Sequence, residues 1–302
     1  MSIRRIRVVN EYFHPWPNSA GFYLARAAGW YAEAGIDLEF LQPDPGVGDG
    51  LHYLLRGDAE AAVVPLNRLL QRRSAGQPVV AVAAVNQRAL DTVRTVAATG
   101  ITRLADLSGR RVGLNPTPRG LAVIRTLVER DGGDPDSIEV VDLGSRELTL
   151  DEIADGHVDA TFGSYWVWDN LRDEATDSLV WHVDEHLGVS YHNYVLAVRH
   201  DTAVDDAATV QALVAATARG YRAAAEDPDS AAQLYETITP YFSRRLLLAS
   251  ARAVSTTWLV DGRWGTLRGE LIGPYAQWLA RQRIIPDAAV WPSVVATFQA
   301  AV

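Results

Sequence analysis

The chain has 302 residues, 48% hydrophobic and 22% charged, with a formal net charge of −9. That length suits two medium domains, and an acidic excess with no basic block excludes a nucleic-acid surface. Cysteine is absent and all 28 basic side chains are arginine, which closes off disulfides, thiolate nucleophiles and metal ligands, an N-terminal lipidated cysteine and lysine Schiff bases.

Apolar runs are broken by charge well before the roughly 18 residues a membrane span requires. The N-terminus MSIRRIRVVNEY enters a strand at once, with no apolar signal core. The expected address is cytoplasmic if Met1 is the native start, and extracytoplasmic if a signal has been trimmed.

Ile6, Val8 and Val9 form a short β-branched run that predicts a buried strand. The loop YFHPWPNSAGFY follows, with His14, Trp16 and Asn18 set between Pro15 and Pro17, which bias the backbone toward extended conformations. Asn18 or Ser19 is expected to cap a helix over 20–34, whose Gly21 permits a close backbone approach. Rings, an amide and free helix N–H groups on a stiff strand-to-helix turn predict a ligand site. Strand 36–40, a helix at 51–55 and strand 61–64 complete a βαβ unit. The glycines of PDPGVGDG fit neither the dinucleotide fingerprint nor the P-loop. Helix 66–75 and the continuously apolar run 78–85 suggest a strand covered on both faces.

Near 86–93 the chain is expected to cross into a second body. A helical turn at 104–109, strand 111–114, helix 121–130, strand 138–141, helix 148–154 and strand 161–163 repeat the first plan. GHVDATF at 156–162 echoes GDAEAAV at 57–63. Two copies of one plan predict two similar lobes and a cleft. After a variable stretch at 172–190, strand 194–198 returns the chain to the first lobe. The remainder reads as helices at 210–225, 230–237, 244–254 and 269–281. The predicted division is 1–90 with 195–302 as one lobe and 91–194 as the other.

Two loops of the second lobe carry candidate chemistry. Tyr165, Trp166, Trp168 and Asp169 lie where doubly wound sheets place ligands. A tryptophan there could stack a planar ligand against Trp16, and Asp169 could accept from an amino group or ring N–H. Asn115, Thr117 and Arg119 precede a helix, so an amide, a hydroxyl and a guanidinium converge on its positive end. His182 and His186 have helical metal-ligand spacing but no convincing third ligand, and read as a solvated loop. No metal or cofactor is expected.

The strand–aromatic loop–helix start, together with GWYAEAGIDLEF, DLSGRRVGLNPTPRG and GHVDATFGSYWVWDN, resembles the SsuA/THI5-like (NMT1-type) family of the periplasmic binding protein type II superfamily across nearly the whole chain. The resemblance implies an α/β fold of two lobes, each a mostly parallel sheet flanked by helices, closing on a small ligand for an ABC permease. Family ligands include thiamin pyrimidine precursors, riboflavin, sulfonates and nitrate. The nearest phrase is the pyrimidine-binding loop W-x-P-N-x-N-H, of which this chain keeps Pro15 and Asn18 but has Phe13, Trp16 and Ser19 elsewhere. By the same analogy Asn67, Gln87, Tyr191 and Asn193 face the cleft, and the Asn115–Arg119 loop receives an anionic head group, as in sulfonate-binding relatives. A second resemblance is to aryl sulfinate desulfinases, whose C-P-x-P-N loop reads His14-Pro15-Trp16-Pro17-Asn18 here. Two functions follow: a binding protein for an aromatic or heteroaromatic ligand, neutral or anionic, or a cytoplasmic lyase or hydrolase for an aromatic acid. In the second, His14 would be general base or acid.

Overall fold

The computed structural model describes residues 3–10, 15–44, 46–144, 146, 148–165 and 178–296. In chain order the elements begin with β1 Arg4–Val9, α1 Ala20–Ala27, α2 Trp30–Glu33, β2 Ile36–Leu41, α3 Gly50–Arg56, β3 Ala61–Pro65, α4 Leu66–Ser74 and β4 Val79–Ala84. Then come β5 Asp91–Val96, β6 Arg111–Leu114, α5 Pro118–Arg130, β7 Glu139–Asp142, α6 Leu150–Ala154, β8 Ala160–Tyr165, β9 Ser178–His182 and α7 Val183–His186. The chain continues with β10 Tyr194–Arg199, α8 His200–Asp205, α9 Ala207–Glu226, α10 Pro228–Ile238, α11 Arg244–Ser255, the hairpin β11 Leu259–Val260 and β12 Arg263–Trp264, and α12 Gly269–Arg281.

These elements form two compact units, residues 1–88 with 191–302 and residues 89–190. The expected switch points, 90/91 and 194/195, lie a few residues later in each case.

In the first unit the strand order is β2-β1-β3-β10-β4; in the second it is β7-β6-β8-β5-β9. Strands β1, β2 and β3 run parallel, as do β6, β7 and β8, while β10 and β5 are antiparallel to both of their neighbours. The antiparallel strand is in each unit the first one laid down on entry. Register sets Asp91 opposite Tyr165 and Tyr194 opposite Pro65, so each entering strand starts at the carboxyl edge of the sheet it joins. A strand that starts there can only run against the parallel set.

All six residues of β4 are buried, as a strand covered on both faces requires. In the second unit Val96, Leu148, Leu150, Ile153 and Val158 form one apolar cluster, with Val141 and Leu143 packed on it.

Three expectations are corrected. The helix over 20–34 is two helices, because Gly29 takes a left-handed φ of 75° between α1 and α2. Ser19 holds the N-cap position but does not cap α1: a 3₁₀ turn at Pro17–Ser19 precedes the helix, and Ser19 Oγ donates back to the Trp16 carbonyl at 2.9 Å. The stretch 172–190 contains a strand, β9, whose pairing partner β5 lies far away in sequence.

Gly21 meets the expectation of close approach. A Cβ there would lie 2.2 Å from the Tyr221 ring, and one on Gly220 would lie 1.9 Å from the Gly21 carbonyl oxygen. Helices α1 and α9 therefore cross backbone to backbone, which fixes the base of the Trp16–Asn18 loop.

Candidate functional site

In the first unit the carboxyl ends of β1 to β4 bring together Asn10, the 15–19 loop, Asn67, Asn86, Gln87 and the return segment Tyr191–Asn193. The loop is held from beneath. Tyr235 Oη donates to the Trp16 carbonyl at 2.6 Å and Tyr221 Oη to the Asn18 carbonyl at 2.8 Å. Burial raises both phenols far above their ordinary pKa, so each stays a donor at any working pH. The Trp16 side chain is buried.

Asn18 is an amide hub. Its Oδ1 accepts from Asn86 Nδ2 at 2.7 Å and from Trp258 Nε1 at 3.1 Å, and its Nδ2 donates to Asn86 Oδ1 at 3.4 Å. Both acceptor sites and one donor are thus committed inside the unit, leaving one N–H for other work. Asn86 also donates to Thr257 Oγ1 at 2.8 Å.

Gln87 is 7% exposed, and its Nε2 donates to the Thr266 carbonyl at 3.1 Å. That bond fixes the amide orientation and leaves Oε1 buried with no hydrogen-bond partner. Asn10 Oδ1, at the end of β1, is likewise buried and unpartnered. Burial pushes the neighbouring Tyr23 hydroxyl up to about 12, against the opposing influence of Arg26 and a hydrogen bond with Asn10. Buried acceptors left open are uncommon in native proteins and mark places where a ligand or water supplies the donor.

The return segment is anchored as firmly. Tyr191 stacks on Tyr275 with centroids 4.2 Å apart and planes 13° apart, and the Asn193 carbonyl accepts from the Leu66 N–H at 3.1 Å. Asn67, one residue on, is half-buried at the start of α4. Between them His192 is fully buried. Its Nδ1 donates to the Asn86 carbonyl at 2.9 Å and its Nε2 accepts from the Arg268 N–H at 3.0 Å, which sets the neutral tautomer.

In the second unit the carboxyl edge carries the Asn115–Gly120 loop, the end of β8 and the start of β5. Thr117 caps α5, its Oγ1 accepting from the Gly120 N–H at 3.1 Å, and Asn115 is exposed. Replacing Thr117 with Ala should cost about 1 kcal/mol of stability, measurable by urea denaturation; an unchanged midpoint would show that the cap carries no load. Arg119 differs from expectation. Its guanidinium forks onto Asp91, Nη2 to Oδ2 at 2.8 Å and Nη1 to Oδ1 at 3.4 Å, with Asp91 only 5% exposed.

His14, Trp166, Trp168, Asp169 and the side chain of Tyr165 lie outside the described residues. Sequence reading missed Asn10, Asn86, Asp91, His192 and Arg268. For Asn86 a signal existed: it sits beside Gln87 at the end of the apolar run.

The NMT1/THI5-like family matches residues 16–231, well over half of the chain. The chain belongs to this family. Among its relatives, the formylaminopyrimidine-binding protein of Halalkalibacterium halodurans is 28% identical over 72% of this chain. The match spans 66% of that relative's length, a little under two thirds. Two solved structures share the fold. The alkanesulfonate-binding protein SsuA of Xanthomonas axonopodis, bound to MOPS, has a TM-score of 0.73 at 13% identity, covering 98% of this chain and 99% of its own. The desulfurization enzyme DSZB has a TM-score of 0.66 at 17% identity, covering 97% and 96%. The fold is that of the periplasmic binding proteins. Among the described residues no helix is long and apolar enough to cross a membrane.

Proposed function

We propose that this NMT1/THI5-like protein is a solute-binding protein of the ABC-importer type, and that its ligand is a small heteroaromatic molecule of the aminopyrimidine class. The observation that carries the reading is the pair of buried, unpartnered amide oxygens, Asn10 Oδ1 and Gln87 Oε1, on the sheet edge where such folds hold ligands. Both are acceptors, and an exocyclic amino group or ring N–H supplies what they lack. The formylaminopyrimidine-binding relative points to the same chemistry. Delivery to a membrane permease and an extracytoplasmic address follow from the same reading.

Isothermal titration calorimetry of the full chain against formylaminopyrimidine should give a roughly micromolar or tighter Kd. Gln87→Leu, which removes the open acceptor, should weaken binding about tenfold, the equivalent of one hydrogen bond of about 1.4 kcal/mol. No heat with any aminopyrimidine, or recovery of a chemically altered ligand, would count against a carrier of this class.

A further inference from the structure

We infer that Asp91 is a specificity-determining residue that turns this protein against anionic ligands. The inference rests on the proposed solute-binding reading and on the rule that doubly wound sheets take ligands at the carboxyl ends of their strands. It starts from an apparent anion trap. Thr117 caps a helix of 13 residues, and Arg119 stands in its first turn, so a guanidinium and the positive end of a helix dipole come together. That combination alone suits a sulfonate, phosphate or carboxylate.

The chain has set a carboxylate on it. Asp91 opens β5, opposite the end of β8, and takes both terminal nitrogens of the Arg119 guanidinium in a forked pair. The side chains are 14% and 6% exposed, so water screens the pair poorly. An anionic head group brought to this loop would meet the Asp91 charge at close range, and would have to compete with a preformed fork for the same donors. An uncharged ligand meets no such penalty. Like-charge placement against a competitor is a familiar way to gain specificity without a new attractive contact. The loop geometry allows little evasion: a Cβ at Gly120 would lie 2.7 Å from the Asn115 carbonyl oxygen, so the backbone is already closely packed under Arg119.

The test uses the full-length chain, formylaminopyrimidine and benzenesulfonate as probes, and calorimetry at low and high salt. Wild type should bind benzenesulfonate at least a hundredfold more weakly than the aminopyrimidine. Asp91→Asn should tighten benzenesulfonate at least tenfold, with the gain fading as salt rises. The double variant Asp91→Asn/Arg119→Gln keeps polar groups at both positions without charge and should show no gain. If Asp91→Asn does not fold, Asp91→Ser carries the same expectation. Equal wild-type affinity for the two probes overturns the inference, as does a folded Asp91→Asn that stays indifferent to benzenesulfonate, or a gain that persists in the double variant. Aminopyrimidine binding with no sulfonate gain sinks this selectivity rule alone. Absent aminopyrimidine binding with a sulfonate gain in Asp91→Asn sinks the pyrimidine reading and leaves the rule standing.

Discussion

Gly220→Ala should destabilise the first unit by roughly 3–5 kcal/mol, although the same change at an open helical site would stabilise it by about 1 kcal/mol. The added methyl carbon would lie 1.9 Å from the Gly21 carbonyl oxygen, 2.8 Å from its carbon and 3.0 Å from Ala25 Cβ. Two of these atoms are backbone, so no side chain can swing aside, and α1 must move away from α9. Moving it strains the hydrogen bonds that tie α9 to the segments on either side of α1, Tyr221 to the Asn18 carbonyl at 2.8 Å and Thr217 to Tyr31 of α2 at 2.7 Å. Both lie in dry interior, where a lost partner costs about 1–3 kcal/mol. Thermal unfolding should shift down by roughly 6–20 °C. Ala215→Gly, on an exposed face of the same helix, serves as the control for intrinsic helix propensity. A Gly220→Ala melting curve at or above wild type would mean that the two backbones are not in contact. Because the Asn18 carbonyl hangs from Tyr221, ligand affinity should fall with stability at this position.

That crossing shows what local sequence reveals and what it leaves out. Gly21 could be read as a close-approach glycine because it opens a helix directly after a stiff loop. Its counterpart, about 200 residues away in a helix otherwise rich in alanine, carries no mark in its own neighbourhood. Other strands were legible for a related reason: β1, β3, β4, β6 and β10 are apolar runs, with the turns at Gly35, Gly57 and Gly156 in the left-handed region that favours glycine. Strand β9 was not legible, because SLVWH owes its conformation to β5 and not to its own pattern. Position on the sheet edge likewise suggested Asn18 and Arg119 as ligand groups. Their hydrogen-bond partners, Asn86 and Asp91, are set by chain topology, 68 and 28 residues away, and these partners decide how much of each side chain is left for a ligand.

His192 should make the protein acid-labile in a window above that of its carboxylates. Burial, reinforced by the nearby Arg268 charge, depresses its pKa to about 4, against the raising influence of the Asn86 carbonyl and of Glu270. In the unfolded chain it titrates near 6.5. Between those values the unfolded state binds the proton and the folded state does not, so stability is complete above about pH 6.5 and declines as pH falls toward 4. The expected loss is about 2 kcal/mol by pH 5 and about 3 kcal/mol by pH 4. Geometry gives the same direction. Nε2 accepts from the Arg268 N–H, and a proton there would set two donors face to face beside a guanidinium. The imidazole joins Asn86 to the Arg268 backbone, and Asn86 in turn holds Asn18. Acid should therefore loosen the ligand loop along with the return segment. Urea denaturation at pH 8, 6 and 5, compared with His192→Asn, checks this. The variant can donate to the Asn86 carbonyl but cannot titrate, so it should be weaker at pH 8 and flatter toward pH 5. Parallel pH profiles for the two proteins would assign the acid sensitivity to other groups and leave His192 a structural tie with no part in it.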